Sequence, residues 1–296
     1  MNQILAKKIC VCGAGTMGRG IAQTAAQNGF DTILYDVQQP IIDQAINNIH
    51  QNLQLLVEKG KMDPQEKSET LSRLKFTTRI EDCKAELIIE AIIENSEVKI
   101  DLFNQLSGYN TRSTILATNT SSLSISQIAK AVENPERVIG MHFFNPATIM
   151  KLVEVVKGIH TTDVAIQTVV AVTRQLNKTP VLCKDLPGFI VNRVARPYYI
   201  ESLRLIEEGV SDLSKIDALL ESSGFKMGPF KLMDLIGNDI NFAVSRSVYQ
   251  QLGEPARLKP SPIQEEKVKQ GDLGKKTGRG YYNYGPPNVP EGDGKN

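Results

Sequence analysis

Cysteine is scarce in this sequence, histidine scarcer, and net charge almost absent. Four cysteines (Cys10, Cys12, Cys83, Cys183) in 296 residues are too few and too scattered for a disulfide scaffold. Cys10 and Cys12 lack the CxxC spacing of a redox or zinc motif, and in a strand they would share one face as small buried hydrophobes. The three histidines (His50, His142, His160) have no second ligand at metal spacing, so no metal site is expected. Lys plus Arg number 34 and Asp plus Glu 33, a net charge of +1, which argues against a nucleic-acid protein working by bulk phosphate neutralisation. No segment approaches the ~18 continuous apolar residues of a membrane span. The start, MNQILAKKICVCGAG, reads as neither a signal peptide nor an Arg- and Ser-rich transit leader. The expected setting is reducing, soluble and cytoplasmic.

What is present is a folded globular composition, 41% hydrophobic against 23% charged, in a chain long enough for two cores. Lys8 to Cys12 is a short apolar run that leads directly into Gly13-Ala14-Gly15-Thr16-Met17-Gly18. A helix rich in small residues follows, closed by Asn28-Gly29, and then a second strand from Asp31 to Asp36. Strand, glycine loop, helix and strand within about thirty residues make a βαβ unit. Residues 40–60 have the periodicity of a long amphipathic helix, and 58–67 that of a turn and a short helix. Strand-like runs recur at 85–91, 114–118, 138–144 and 152–156. Such alternation predicts an α/β fold, a Rossmann-type, doubly wound, mostly parallel sheet. At Pro187-Gly188 the strand signals stop and helical periodicity takes over. The expected division is therefore 1–186 for the α/β domain and 187–284 for an all-helical C-terminal domain. Pro197 should kink or shorten the first helix of that domain, and 285–296 should form a disordered tail.

In this context the glycine loop points to a dinucleotide. Gly13 permits the tight turn, Gly15 the approach of a pyrophosphate, and Gly18 close helix–strand packing, with Thr16 and Met17 opening the helix toward the phosphates. Asp36, about twenty residues on, is placed to accept hydrogen bonds from the adenosine ribose. Its charge would repel a 2′-phosphate, and no arginine follows in Val37-Gln38-Gln39. The cofactor expected is NAD. The competing reading is a tight turn in another α/β fold with Asp36 as a cap.

Three further segments stand out. They are Asn119-Thr120-Ser121-Ser122, then Met141-His142-Phe143-Phe144-Asn145-Pro146 with Leu152-Val153-Glu154, and Pro187-Gly188-Phe189-Ile190-Val191-Asn192-Arg193. With Met227 to Phe230, Asp234 and Gly274 to Tyr282, they make the chain closely resemble the L-3-hydroxyacyl-CoA dehydrogenase family, in particular its bacterial 3-hydroxybutyryl-CoA dehydrogenases. The resemblance runs from about Lys8 to Tyr284. It implies NAD-dependent oxidation of a short (S)-3-hydroxyacyl-CoA, with His142 as base, Glu154 as its carboxylate partner, and Ser121 and Asn192 around the substrate oxygens. It adds Glu94, Lys99, Asn119, Ser121, Asn145 and Lys276 to the cofactor site, and Lys59 and Asn52 as contacts to CoA. It also implies a homodimer through the helical domain, burying faces that carry Ile200, Leu203 and Leu205. No nucleic-acid or membrane partner is expected.

The chemistry is consistent on its own terms. An imidazole of ordinary pKa ~6.5 accepts and returns a proton near neutrality, and a carboxylate fixes its tautomer and stabilises its cation. A hairpin or crossover between the two strand runs would bring His142 and Glu154 together. Taken singly, each residue has a plainer reading: His142 in the core, Glu154 facing solvent, Ser121-Ser122 capping a helix over 123–131, and Asn192 exposed in a first turn. Two other functions stay open, a free-hydroxyacid or sugar-acid dehydrogenase of the same architecture and a non-catalytic NAD-binding homologue.

Overall fold

The computed structural model describes residues 6–285; the expected tail over 285–296 lies outside them except for Gly285. The chain divides into two compact units, Met1–Phe189 and Ile190–Asn296.

Among the described residues, eight strands of the first unit form one sheet: β1 (Lys8–Cys12), β2 (Asp31–Tyr35), β3 (Leu74–Thr77), β4 (Leu87–Glu90), β5 (Ile115–Thr118), β6 (Val138–Phe143), β7 (Leu152–Lys157) and β8 (Thr179–Lys184). Their order is β3-β2-β1-β4-β5-β6-β7-β8, and the β6–β7 pair alone among the described strands is antiparallel. Six helices accompany the sheet: α1 (Thr16–Gln27), α2 (Gln39–Glu58), α3 (Pro64–Ser72), α4 (Ser96–Tyr109), α5 (Ile125–Lys130) and α6 (Asp163–Gln175).

Both faces of the sheet are covered, so its central strands are continuous apolar runs instead of alternating ones. Ile9 and Val11 pack on one face with residues of α1, α2 and α6. Cys10 and Cys12 pack on the other with residues of α4 and α5. The two cysteines do share one buried face, as the pattern predicts. The strands that sequence reading missed, β3 and β8, are the two edges. β3 is short, and β8 carries Pro180 and ends on Lys184, features that keep an edge from recruiting another strand.

Other elements shift. The helix expected within 58–67 is α3, which starts at Pro64 because Asp63 and Glu66 form a reciprocal capping box. The helix expected over 123–131 is α5, and its cap is the Ser124 side chain, not Ser121 or Ser122.

The second unit contains α7 (Val191–Glu207), α8 (Leu213–Ser222), α9 (Pro229–Ile236), α10 (Asn238–Gln251) and α11 (Pro262–Lys269). Pro197 does not shorten α7, which runs on through it for ten further residues to Glu207. The expectation that Ile200 and Leu203 lie on a dimer face is also corrected. Leu203 packs inside this unit with Tyr199, Ile216, Phe230 and Met233, and Ile200 packs with Val248 and Leu258. These two side chains, enclosed by their own unit, have almost no apolar area left to offer a partner; Leu205, against the first cluster, is only half-buried. Two buried carboxylates lace the unit together. Asp217 accepts from the Phe230 and Lys231 amides and the Tyr282 hydroxyl, and Asp234 from Asn238, the Tyr281 and Tyr282 amides and the Tyr284 hydroxyl. That accounts for the Met227–Phe230, Asp234 and Gly274–Tyr282 motifs: they fasten the segment 281–284 to α9.

Candidate active site

The glycine loop turns out of β1 at Gly13, whose φ of +100° a side chain would rarely adopt. A Cβ at Gly18 would fall 1.6 Å from the Gly13 carbonyl oxygen, so α1 can leave the strand this closely only with glycine there. A Cβ at Gly15, by contrast, would meet nothing within 4 Å. Gly15 is the N-cap of α1 and supplies no side-chain acceptor, so the first amides of the helix, at Thr16 and Met17, face open space at its positive end. Asp36, just past β2, accepts the Ala14 amide on Oδ2 (2.9 Å) and the Gln38 amide on Oδ1 (3.0 Å). Each oxygen keeps a lone pair for a ribose hydroxyl. A diphosphate cradle beside a fixed carboxylate fits NAD, as the sequence predicts.

Further along the sheet, at the same carboxyl end of the parallel strands, His142 on β6 and Glu154 on β7 are directly opposite in the antiparallel register. Their side chains meet at 2.8 Å, His142 Nδ1 to Glu154 Oε2. The solvent-facing reading of Glu154 does not hold: it is 0% exposed, between β6 and β8 in the sheet. A buried carboxylate is costly without a donor, and the imidazole supplies one. An ionised carboxylate can only accept, so a neutral imidazole facing one donates from Nδ1 and keeps its lone pair on Nε2. His142 is 6% exposed, and its ring is wedged by Phe144 (4.6 Å between centroids) and Phe189 (5.7 Å), so its orientation is fixed by packing on top of the hydrogen bond. The result is an oriented base with one open nitrogen.

Between these two features lies the loop after β5. Asn119 Oδ1 accepts the Phe143 amide at 2.8 Å, tying the loop to the strand end beside His142. Glu94 gathers the rest of the loop: its Oε1 accepts the Thr120 hydroxyl, the Ser121 and Ser122 amides and the Ser122 hydroxyl at 2.5–3.2 Å. Beneath it Lys99, 1% exposed, bridges Glu94 (3.2 Å) and Glu90 (2.6 Å), and Glu90 also accepts from the Thr118 hydroxyl and the Ile92 amide. Burial pushes the Glu90 carboxyl up, against the pull of Lys99. Burial pushes Glu94 the same way, but there the ammonium and the loop's hydroxyls and amides prevail and hold it below the usual range. Glu94 and Lys99 thus organise the Ser121 loop. Glu90 and Thr118 were missed in the sequence, where the one signal was an acid closing the apolar run of β4.

The remaining candidates lie on other elements. Asn145 is exposed just after β6. Asn52 and Lys59 lie seven residues apart, on one exposed face at the C-terminal end of α2, with the Asn52 amide 3.4 Å from Gln23 Oε1. Asn192 and Lys276 belong to the second unit, Asn192 in the first turn of α7 and Lys276 paired with Asp239 at 2.6 Å.

Comparison with known proteins agrees with this geometry. Residues 8–186 match the family model for the 3-hydroxyacyl-CoA dehydrogenase NAD binding domain, and 188–284 that for the C-terminal domain of the same family. The chain is 48% identical over 278 residues to a 3-hydroxyadipyl-CoA dehydrogenase of Escherichia coli, covering 93% of this chain but 58% of that protein's length. It is 42% identical to a 3-hydroxybutyryl-CoA dehydrogenase of Clostridioides difficile, over 94% of this chain and 99% of the relative. The crystal structure of an (S)-3-hydroxybutyryl-CoA dehydrogenase from Ralstonia eutropha superposes with a TM-score of 0.91 at 35% identity, over 95% and 99% of the two chains. Fold, glycine loop and two-domain match agree: the chain belongs to the 3-hydroxyacyl-CoA dehydrogenase family.

Proposed function

We propose that the protein interconverts (S)-3-hydroxyacyl-CoA and 3-oxoacyl-CoA, with a short acyl chain such as 3-hydroxybutyryl. The observation that carries this reading is the His142–Glu154 pair: a buried carboxylate on Nδ1, leaving Nε2 as acceptor for the substrate's hydroxyl proton. NAD, when bound, supplies the hydride acceptor. Glu154 stabilises the imidazolium that forms, Ser121 and Asn192 hold the substrate oxygens, and Lys59 and Asn52 meet the CoA portion. Asn145 and Lys276 complete the cofactor site with the glycine loop and Asp36. The test is NADH oxidation with acetoacetyl-CoA and with free acetoacetate. Turnover of the thioester alone is expected. Preference for the free acid would favour a hydroxyacid dehydrogenase, and silence on both a binding protein.

Asp36 gives a second expectation. Asp36→Ala removes the ribose acceptor and the anchor of the Ala14 and Gln38 amides, and hydrogen bonds to a charged group contribute about 1.5–3 kcal/mol each. NADH affinity, followed by fluorescence titration, should fall by roughly 10–100-fold, and the preference over NADPH should narrow. A wild-type enzyme with higher kcat/KM for NADPH would contradict the role given to this carboxylate.

Family resemblance supports a homodimer through the helical unit, and the sparse cysteines fit a reducing, cytoplasmic setting. With Ile200 and Leu203 enclosed, the apolar side chains available to a partner are exposed ones such as Val194, Leu219, Phe225, Leu235 and Ile240. Light scattering at micromolar concentration should give twice the 32.7 kDa chain mass; a monomer mass would exclude the dimer.

A further inference from the structure

Cys10 and Cys12 point from β1 into the core under the glycine loop, and a third thiol comes to meet them. Cys83 follows a short 3-10 turn (Ile80–Asp82) on the way from β3 to β4. It stands more than seventy residues away in sequence. All three side chains are 0% exposed, and the three sulfurs lie within 4.8 Å of one another, Cys10 and Cys12 at 3.9 Å. All carry free thiols. The surroundings are apolar, including Ile33, Tyr35 and Ile88. Packing alone asks for three small apolar side chains at these positions, not for three sulfurs converging on one point.

We infer that Cys10, Cys12 and Cys83 form a three-sulfur site for a soft monovalent cation, Cu(I). Metal–sulfur bonds of ~2.3 Å in a trigonal arrangement place the sulfurs ~4.0 Å apart, the spacing Cys10 and Cys12 already have; Cys83 needs to move in by less than an ångström. The donor set selects the ion. Among the described residues no carboxylate or imidazole joins this group, which disfavours hard cations that require oxygen ligands. Structural zinc takes four ligands, and three are offered here. Soft thiolates favour Cu(I). Uptake displaces thiol protons to solvent and involves no change of oxidation state.

The test is an anaerobic titration of the reduced, metal-free protein with Cu(I), supplied as its acetonitrile complex against bathocuproine disulfonate as competitor. One equivalent per chain should be withheld from the competitor, and X-ray absorption should show three sulfur neighbours at ~2.3 Å. Cys83→Ser should weaken retention by more than the roughly 10–100-fold that losing a supporting residue costs a metal site. Cys10→Ala removes a different ligand and should do the same, so a folding defect in one variant leaves the other decisive. Cys183→Ser, a half-buried thiol on β8 outside the group, should retain copper like the wild type. The inference is overturned if the wild type yields all its copper to the competitor. It is equally overturned if Cys83→Ser and Cys10→Ala hold copper as tightly as the wild type, or if copper is lost with Cys183 instead.

Discussion

Lys99→Met should cost about 3–5 kcal/mol of stability at neutral pH, the usual result of removing one partner from a fully buried ion pair. The methionine fills the space of the lysine stem but leaves Glu90, 0% exposed, with only the Thr118 hydroxyl and the Ile92 amide. The pH dependence has a definite sign. Burial already raises the Glu90 carboxyl against the pull of Lys99, and without the ammonium it rises further. A carboxyl whose folded pKa lies above its unfolded value stabilises the protein at low pH and loses that contribution as pH rises through the folded value. Urea unfolding should therefore show a smaller penalty at pH 5 than at pH 8. Adding Glu90→Gln should restore much of the loss by removing the orphaned charge. The same change reaches the site, because Glu94 loses the cation that holds it ionised under the Ser121 loop, so kcat/KM should fall as well. A penalty equal at both pH values, or no rescue by Glu90→Gln, would show that Lys99 matters only as packing.

That network marks the limit of what the sequence discloses. The nucleotide loop was legible because every one of its constraints is local: a strand, a turn needing positive φ, a helix N-terminus and an acid twenty residues on. His142 and Glu154 were candidates only through the resemblance to a known family; read singly, one belonged in the core and the other facing solvent. Their direct opposition depends on the antiparallel register of β6 and β7, which no local pattern encodes. Glu90, Lys99 and Thr118 are nine and twenty-eight residues apart, and only the parallel stacking of β4 on β5 and the return of α4 bring them together. The edge strands were missed for another reason: β3 is only four residues long, and β8 carries Pro180 and polar residues at both ends, so neither reads as a strand. In the helical unit, the resemblance pointed to apolar faces carrying Ile200, Leu203 and Leu205 as covered by a partner, whereas the unit itself covers Ile200 and Leu203. An amphipathic helix buries its stripe against its own domain or a neighbour's with the same pattern.

Glu154→Gln should lower kcat by about 10²–10⁴-fold, the range for a disabled acid–base group, while the fold and the affinity for NADH persist. The amide oxygen still accepts the Nδ1 proton, so the tautomer and ring position, already fixed between Phe144 and Phe189, survive. Replacing a fully buried carboxylate by a neutral amide leaves no orphaned charge while His142 is neutral, so unfolding stability should be unchanged or higher. What is lost is the negative charge that stabilises the imidazolium. His142 then takes up the hydroxyl proton less readily, and the barrier to oxidation rises as hydride departs. The same loss moves the pH profile: in kcat/KM for 3-hydroxyacyl-CoA oxidation, the ascending limb should shift to lower pH while the plateau drops. The reverse reaction separates orientation from charge. There His142 must begin protonated, so the variant's loss in 3-oxoacyl-CoA reduction should deepen as pH rises, since fewer molecules carry the proton to be given. A variant with wild-type kcat and an unmoved limb would remove Glu154 from the chemistry, leaving it a buried acid whose only task is to hold a ring in place.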